Sequence, residues 1–187
     1  MHIDKVLTAT KFADVILDEK NKKYFQLVWD KSKEDLYKME VDRIYLIVVD
    51  GIIKKIGGSG CEGGLIKTIT TYRDSSISGK PSPRTIGVPY LINQTLQKGS
   101  KVEIYGILGE LVMTEIKGLF GMNRKYASPS FKYMEKCCLE DYYSLLSTYP
   151  DWNFQEKNEK WPDEVIELHL ELLNKKSKKE LIDEDTN

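Results

Sequence analysis

Alternating apolar and polar positions predict two β-hairpins early in the chain. Near the N-terminus, the strand-like runs FADVILD and KYFQLVW flank the polar turn EKNKK. Two further apolar runs, residues 44–49 and 52–56, meet at Asp50-Gly51. Because both turn residues tolerate positive φ, Asp-Gly between such runs is a strong hairpin signal. We therefore expect these two runs to pair as antiparallel strands.

Helical spacing begins after the second hairpin. Leu65, Ile69 and Tyr72 recur at intervals that place them on one face of a helix. The next segment, SISGKPSPRTIG, has the composition of a loop. VPYLINQTLQKGS then predicts a helix with Pro89 in its first turn and Gly99 at its end.

The remaining segments predict one strand and two helices. KVEIYGIL alternates as a strand, and residues 109–130 are expected to continue it and end in a long basic loop. FKYMEKCCLEDYYSLLSTYP predicts a helix stopped by Pro150, and PDEVIELHLELLNKKSKKE predicts an amphipathic helix. We expect an α+β fold, in which helices flank a small central antiparallel sheet that starts with a β-hairpin. An N-terminal hairpin and a C-terminal helix would extend it.

Composition narrows the class of protein only slightly. The 187 residues are 41% apolar and 30% charged, which is ordinary for a globular domain. A net charge of -1 does not indicate a nucleic-acid or membrane partner. Three cysteines without a C-x-x-C pair argue against structural zinc. With short apolar runs and no signal peptide, we expect a cytoplasmic protein without a membrane span.

The glycine stretch KKIGGSGCEGGLIKTI invites a nucleotide-binding interpretation. Gly58, Gly60 and Gly63 satisfy G-x-G-x-x-G. A dinucleotide site also needs a second parallel strand that ends in an acid about 20 residues later. Here no acid occurs between Asp74 and Glu103, and the strand before the glycines belongs to a predicted hairpin. The motif is therefore expected to be incidental.

Two short motifs in the hairpin carry a more specific signal. The first strand contains Arg43-Ile44-Tyr45 and the second contains Lys55-Ile56-Gly57, with Tyr45 and Lys55 ten positions apart. This pattern resembles the GIY-YIG nuclease family, whose two motifs lie on the strands of one hairpin at about this spacing. Arg43 replaces the first glycine of the family pattern, and Lys55 replaces the second tyrosine.

A second anchor lies further along the chain. Glu135 falls in a predicted helix and is followed by Pro150 and Asn153, which resembles the late glutamate and Pro-x-x-Asn segment of the same family. The resemblance places a nuclease core at residues 41–155. Residues 1–40 would be an N-terminal β extension, and 156–187 a C-terminal helix with an acidic tail.

The resemblance also implies roles for individual residues. Tyr45 would accept a proton from the attacking water, helped by Lys55 or by a metal ion. Glu135 would be the only protein ligand of that ion, which would be Mg²⁺ or another divalent cation such as Mn²⁺. Asn153 would help to hold the site. The family arginine that stabilises the scissile phosphate has no match at its usual place. Its candidate replacements are Lys67, Arg73 and Arg84.

Each of these residues also has an ordinary structural interpretation. A strand tyrosine such as Tyr45 commonly packs in the core, and Lys55 or Glu135 could simply be exposed to solvent. Asn153 could cap a turn. Glu140 replaces Glu135 as candidate if the helix register differs.

Two segments have a composition suited to DNA. SGKPSPRTIG and KGLFGMNRKYASPSFKY combine cations that would contact phosphates with small residues, and the second adds aromatic rings that could stack on or wedge between bases. A solvated loop has the same composition. The candidate DNA-binding residues are Lys80, Arg84, Arg124 and Lys125.

The favoured hypothesis is a metal-dependent endonuclease of restriction or phage type that cleaves DNA and could act as a homodimer. Two alternatives stay open. The chain could bind nucleic acid without cleavage on the same scaffold, or it could be an α+β interaction module whose C-terminal helix docks a partner.

Overall fold

The fold is α+β and combines a five-stranded antiparallel sheet with a separate two-stranded hairpin and five α-helices. These counts refer to the residues that the computed structural model describes, which are 1–20, 24–60, 62–74, 82–110, 112–128 and 130–184. The predicted fold class is thereby confirmed.

The strands are β1 Thr10–Ile16, β2 Gln26–Trp29, β3 Arg43–Val49, β4 Ile52–Ser59, β5 Val102–Leu108, β6 Val112–Lys117 and β7 Asn123–Ser128. The helices are α1 Glu34–Lys38, α2 Gly64–Asp74, α3 Pro83–Gln97, α4 Phe131–Leu146 and α5 Asp163–Glu184. The main sheet has the order β2-β1-β5-β3-β4. Strand β4, which carries Gly57 and Gly58, therefore lies at one edge of this sheet.

Strand β3 is buried on both faces, so helices cover the sheet from two sides. On one face, Tyr45, Ile47 and Val49 pack against residues of α2 and α3. On the other, Ile44, Leu46 and Val48 pack against residues of α4. The alternation follows from the two-residue period of a strand. Side chains from either face can approach the edge strand β4.

The predicted hairpins are both present. Strands β3 and β4 pair antiparallel around Asp50 and Gly51, which have φ angles of 47° and 79°. Strands β1 and β2 form the N-terminal hairpin, and β1 pairs with β5 in the same sheet. None of the helices in the described part of the chain combines the length and apolar character needed to cross a bilayer.

Helix α3 begins earlier than its sequence predicted. The loop expectation was wrong for residues 83–87, which are helical, and Pro89 lies inside the helix rather than in its first turn. Pro83 occupies the first turn, and the Ser82 hydroxyl accepts a hydrogen bond from Thr85 N at 3.3 Å. A serine cap followed by proline starts a helix effectively because the cap satisfies a free N–H and proline needs none.

The prediction for residues 109–130 was also wrong, because they do not run from a strand into a long loop. Strands β6 and β7 form a second hairpin, separate from the main sheet. Its turn is closed by Gly118 N donating to Met122 O at 2.9 Å and by Gly121, whose φ is 74°. Glycine is suited to that left-handed conformation.

Candidate active site

Tyr45 is fully buried on β3, directly opposite Gly57 of β4. A Cβ atom on residue 57 would clash with the Tyr45 ring and with its hydroxyl oxygen. Only glycine at position 57 leaves room for the tyrosine ring. The motif on β3 and the motif on β4 therefore meet in the Tyr45–Gly57 pair.

The Tyr45 hydroxyl joins two further side chains. Tyr45 Oη lies 2.6 Å from Tyr72 Oη of α2. Arg84, in the first turn of α3, donates from Nη2 to Tyr45 Oη at 3.0 Å and from Nε to Tyr72 Oη at 3.2 Å. We call these three residues the tyrosine–arginine cluster. The two hydrogen bonds fix the plane of the guanidinium group.

The cluster favours a protonated tyrosine beside a permanent cation. Burial raises the pKa of Tyr45 well above its usual range, and Tyr72 adds to this effect while Arg84 opposes it. The pKa of Arg84 is raised further, mainly by Tyr45. At neutral pH, Tyr45 is therefore a neutral phenol that bonds to a charged guanidinium.

A cleft of about 620 Å³ opens beside this cluster. Its walls come from the end of β4, the loop that follows it, α2 and the start of α3. The lining is mostly polar or small: Tyr45, Gly58, Ser59, Gly60, Glu62, Lys67, Thr68, Thr71, Tyr72, Ser82, Arg84 and Thr85. Such a cleft suits a polar, anionic substrate better than an apolar ligand.

Lys55 lies on the same face of the sheet as Tyr45, since it pairs with Ile47 two positions further along β3. The lysine is only 4% exposed. The pKa of Lys55 is lowered to about 8, mainly by burial and also by the charge of Arg84, while the carboxylates of Glu156 and Glu135 act in the opposite direction. Lys55 is therefore a lysine that gives up its proton close to neutral pH.

Glu135 approaches the cleft from the opposite face of the sheet. Its Oε2 atom lies 3.0 Å from the position of a Cβ on Gly58, and Gly58 lines the cleft. This approach is available because β4 is an edge strand and α4 packs over it. Glu135 also lines a neighbouring cavity of about 310 Å³ with Glu140 and Glu156.

The metal-binding capacity of this region is that of a single carboxylate. The described residues contain no group of three or more His, Cys, Asp or Glu that could enclose an ion. Mg²⁺ retains several waters and is commonly held by one or two carboxylates plus substrate phosphate. Glu135 fits such a hydrated ion and does not fit a closed protein cage.

Asn153 is buried beside β4 and binds its backbone. Asn153 Oδ1 accepts from Ile56 N, and Asn153 Nδ2 donates to Ile56 O, both at 2.9 Å. Trp152 N also donates to Lys54 O at 2.8 Å. The segment therefore holds the edge of β4 between Lys55 and Gly57, so Asn153 acts on the position of the site rather than in the cleft.

The three candidate cations lie in different environments. Lys67 lines the cleft but forms an ion pair with Glu62 at its rim. Arg73 does not line the cleft, and its Nε donates to Asp74 Oδ1 at 2.8 Å. Arg84 alone of these three contacts Tyr45 through a hydrogen bond in the described residues.

The predicted DNA-binding residues divide between two regions. Arg84 belongs to the cleft. Arg124 and Lys125 lie exposed on β7, in the separate hairpin. Lys80 lies outside the described residues.

Sequence reasoning missed the part that Tyr72 plays. It was assigned to the apolar stripe of α2, and its ring is indeed buried. Its hydroxyl nevertheless needs a hydrogen-bond partner, which Tyr45 and Arg84 supply. A tyrosine among aliphatic residues on a buried helix face was the available signal.

The sequence matches no protein-family model and no curated protein. Among solved structures, the chain is similar to a mutant of bacteriophage T4 EndoII, with a TM-score of 0.55 and 21% identity. That likeness covers 82% of this chain and 99% of the other. The restriction endonuclease HPY188I in complex with product DNA matches with a TM-score of 0.47 and 18% identity, over 80% of this chain and 84% of the other. At this identity the likeness to EndoII establishes a shared fold.

Proposed function

We propose that this protein is an endonuclease that hydrolyses phosphodiester bonds of DNA in the cleft beside the tyrosine–arginine cluster. The observation that carries the proposal is the position of Arg84, which two tyrosine hydroxyls hold at a polar cleft whose rim is approached by the Glu135 carboxylate. The fold shared with EndoII and the two sequence motifs of the GIY-YIG type support the same conclusion.

Arg84 would stabilise the negative charge that develops on the phosphoryl group. A guanidinium offers donors in a planar fork that matches phosphate oxygens, and its charge does not depend on pH. Because Arg84 is already oriented by Tyr45 and Tyr72, little reorganisation is needed when the charge develops.

Lys55 would supply the base. Tyr45 is protonated at neutral pH, so it can receive a proton from water only as it gives up its own. Lys55 lies on the same face of the sheet as Tyr45 and has a pKa of about 8. Such an amine is suited to receive the proton that the Tyr45 hydroxyl gives up.

Glu135 would hold a divalent cation, Mg²⁺ or Mn²⁺, with waters and a substrate phosphate completing its shell. When bound, such an ion polarises a phosphate oxygen and stabilises the leaving oxygen. We assign the nuclease core to residues 41–155, with 1–40 and 156–187 as extensions. A cytoplasmic location and a homodimer that cuts both strands belong to the same proposal.

The test uses matched pairs of variants on plasmid DNA and on a panel of varied duplexes, with and without Mg²⁺. Arg84→Gln and Glu135→Gln should each lower the cleavage rate by about 100-fold or more. Arg73→Gln and Glu159→Gln remove the same charges at residues that do not line the cleft or the cavity beside Glu135, and should change the rate by less than about threefold.

Two outcomes would contradict the proposal. Equal losses in Arg84→Gln and Arg73→Gln would show that the cleft does not define the activity. DNA that is bound by folded wild-type protein but never cut, across the whole panel, would favour a non-catalytic binding protein on this scaffold.

A further inference from the structure

Hairpin β6–β7 projects from the fold and ends in an apolar tip. Its two strands contact each other far more than they contact any other described element. At the turn, Leu119 is 99% exposed, Phe120 is 90% exposed and Met122 is 63% exposed. The end of the hairpin therefore presents three large apolar side chains to water. An exposed apolar patch of this kind marks an interaction site.

Cations flank this tip. Lys117, Arg124 and Lys125 are exposed on the two strands beside the turn, and Glu115 is the only acid in residues 112–128. The segment therefore carries a net charge of +2 in a chain whose net charge is -1. A partner complementary to this hairpin has negative charge on its surface, to meet the cations, and an apolar interior, to receive the tip.

The base of the hairpin is anchored at the rim of the candidate cleft. Before it, Gly109 N donates to Asp42 O at 2.7 Å, and after it Phe131 N donates to Asp42 Oδ2 at 2.7 Å. The Phe131 ring lies against Gly58 and Gly60, which line the cleft. Six-residue strands extend about 20 Å, so the hairpin is long enough to span the width of a duplex from this anchor.

We propose that this hairpin is a DNA-distorting arm, which inserts Leu119, Phe120 and Met122 between the base pairs of a duplex held at the cleft. Phosphates would meet Lys117 and Arg124 while the apolar tip enters the base stack. Apolar wedges of this kind unstack a base step and kink the duplex, by about 20–90° in known cases. The location of the duplex rests on the proposed function.

Duplex DNA fits better than the other two surfaces that an apolar tip suggests. An anionic lipid surface matches the charge, but it gives no reason for the arm to be anchored at a polar cleft that contains Arg84. In a dimer formed through the tips, the cations of one hairpin would lie beside those of the other. Two hairpins that each carry a net charge of +2 repel each other.

Bending and unstacking test the arm separately from cleavage. The parent is Glu135→Gln, so that DNA is bound without being cut. The substrate is a duplex with a fluorophore at each end for energy transfer and with 2-aminopurine at successive positions. Leu119→Ala combined with Phe120→Ala is the arm variant. Leu7→Ala is the matched control, because Leu7 is also exposed, at 96%.

We expect the parent and the Leu7 control to raise energy transfer and 2-aminopurine fluorescence at one step. The arm variant should lose both signals and bind at least about tenfold more weakly, while its thermal unfolding stays unchanged because the tip is exposed. A bend that persists in the arm variant would overturn the inference and leave the nuclease proposal intact.

The remaining outcomes are distinguishable. Wild-type protein that bends DNA through the tip but cuts nothing would retain the arm and reject the nuclease. Tip-dependent binding to phosphatidylserine vesicles with no tip-dependent DNA bend would assign the arm to a membrane and overturn the inference. Loss of a dimer in the arm variant, again without an effect on bending, would assign it to a second copy.

Discussion

The Tyr45 ring and residue 57 compete for one space between strands β3 and β4. We predict that Gly57→Ala displaces the Tyr45 hydroxyl from Arg84 and lowers the cleavage rate on the order of 100-fold, because misplacing a catalytic group by about 1 Å has effects of this size. Crowding should also lower the free energy of unfolding by about 1–3 kcal/mol. Single-turnover cleavage and urea unfolding measure the two effects.

Gly60 provides the control for that substitution. A Cβ on residue 60 would meet Phe131 Cε1 at 3.6 Å, an ordinary contact. Gly60→Ala should therefore keep the cleavage rate within about threefold of wild type. Similar losses in both variants would show that the glycines matter for the loop and not for Tyr45.

The lowered pKa of Lys55 predicts a pH dependence. Its amine is charged below a pH of about 8 and neutral above it, so a rate that requires the neutral amine should rise with pH and level off above about 8. Measuring single-turnover cleavage from pH 6 to pH 10 at fixed Mg²⁺ would give the midpoint.

Removing a charge near Lys55 should shift the midpoint of this pH profile in a direction that can be predicted. The Glu156 carboxylate raises the pKa of Lys55, so Glu156→Gln should lower that pKa and move the midpoint to lower pH. Glu159→Gln removes the same charge from an exposed residue paired with Lys157 and should leave the midpoint in place. A midpoint that moves upward in Glu156→Gln would rule out Lys55 as the titrating group.

At the scale of elements, the segment that carries Asn153 acts as a clamp on edge strand β4. Asn153→Ala would leave the buried N–H and C=O of Ile56 without their partner. We predict a loss of about 2–4 kcal/mol in the free energy of unfolding, together with slower cleavage. Asp151→Ala removes only an exposed ion pair with Lys54 and should cost about 0–1 kcal/mol. Urea titrations of both variants check the difference.

Elements with strong local signals were predictable from the sequence. Asp50-Gly51 specified the β3–β4 hairpin because its positive φ angles suit those two residues. The start of α3 was missed because Ser82 and Pro83 are cap residues that also occur in loops. The β6–β7 hairpin was missed because its turn residues stand among cations and small residues typical of a solvated loop.

The candidate site was predictable only in part, for a related reason. Motif spacing singled out Tyr45, Lys55 and Glu135. The sequence did not decide which of three cations, Lys67, Arg73 or Arg84, lies beside Tyr45. The position of Arg84 depends on where α3 begins, and the early start of α3 is what places Arg84 within hydrogen-bond distance of Tyr72. Which groups meet across a sheet edge depends on tertiary packing, which spacing along the chain does not record.

At the scale of the whole molecule, the described residues contain one tyrosine–arginine cluster beside one cleft. A single chain should therefore cut one strand per binding event. On supercoiled plasmid at low protein concentration, nicked circles should accumulate before linear DNA. Linear product should rise more steeply than the first power of protein concentration when two chains act together.

Gel quantification over a range of protein concentrations decides this prediction. Linear DNA that forms without a nicked intermediate at every concentration would show that a preformed dimer presents two clefts at once. Light scattering of the same samples would report the number of chains independently.

Amides on the outer side of an edge strand normally exchange their hydrogen with water quickly, because no neighbouring strand accepts a hydrogen bond from them. The Ile56 amide is an exception, since it donates a hydrogen bond to Asn153 Oδ1. Its hydrogen-exchange rate should therefore report whether the segment that carries Asn153 is docked on strand β4. That one resonance would let an inactive variant be sorted into lost chemistry or lost assembly without any DNA present.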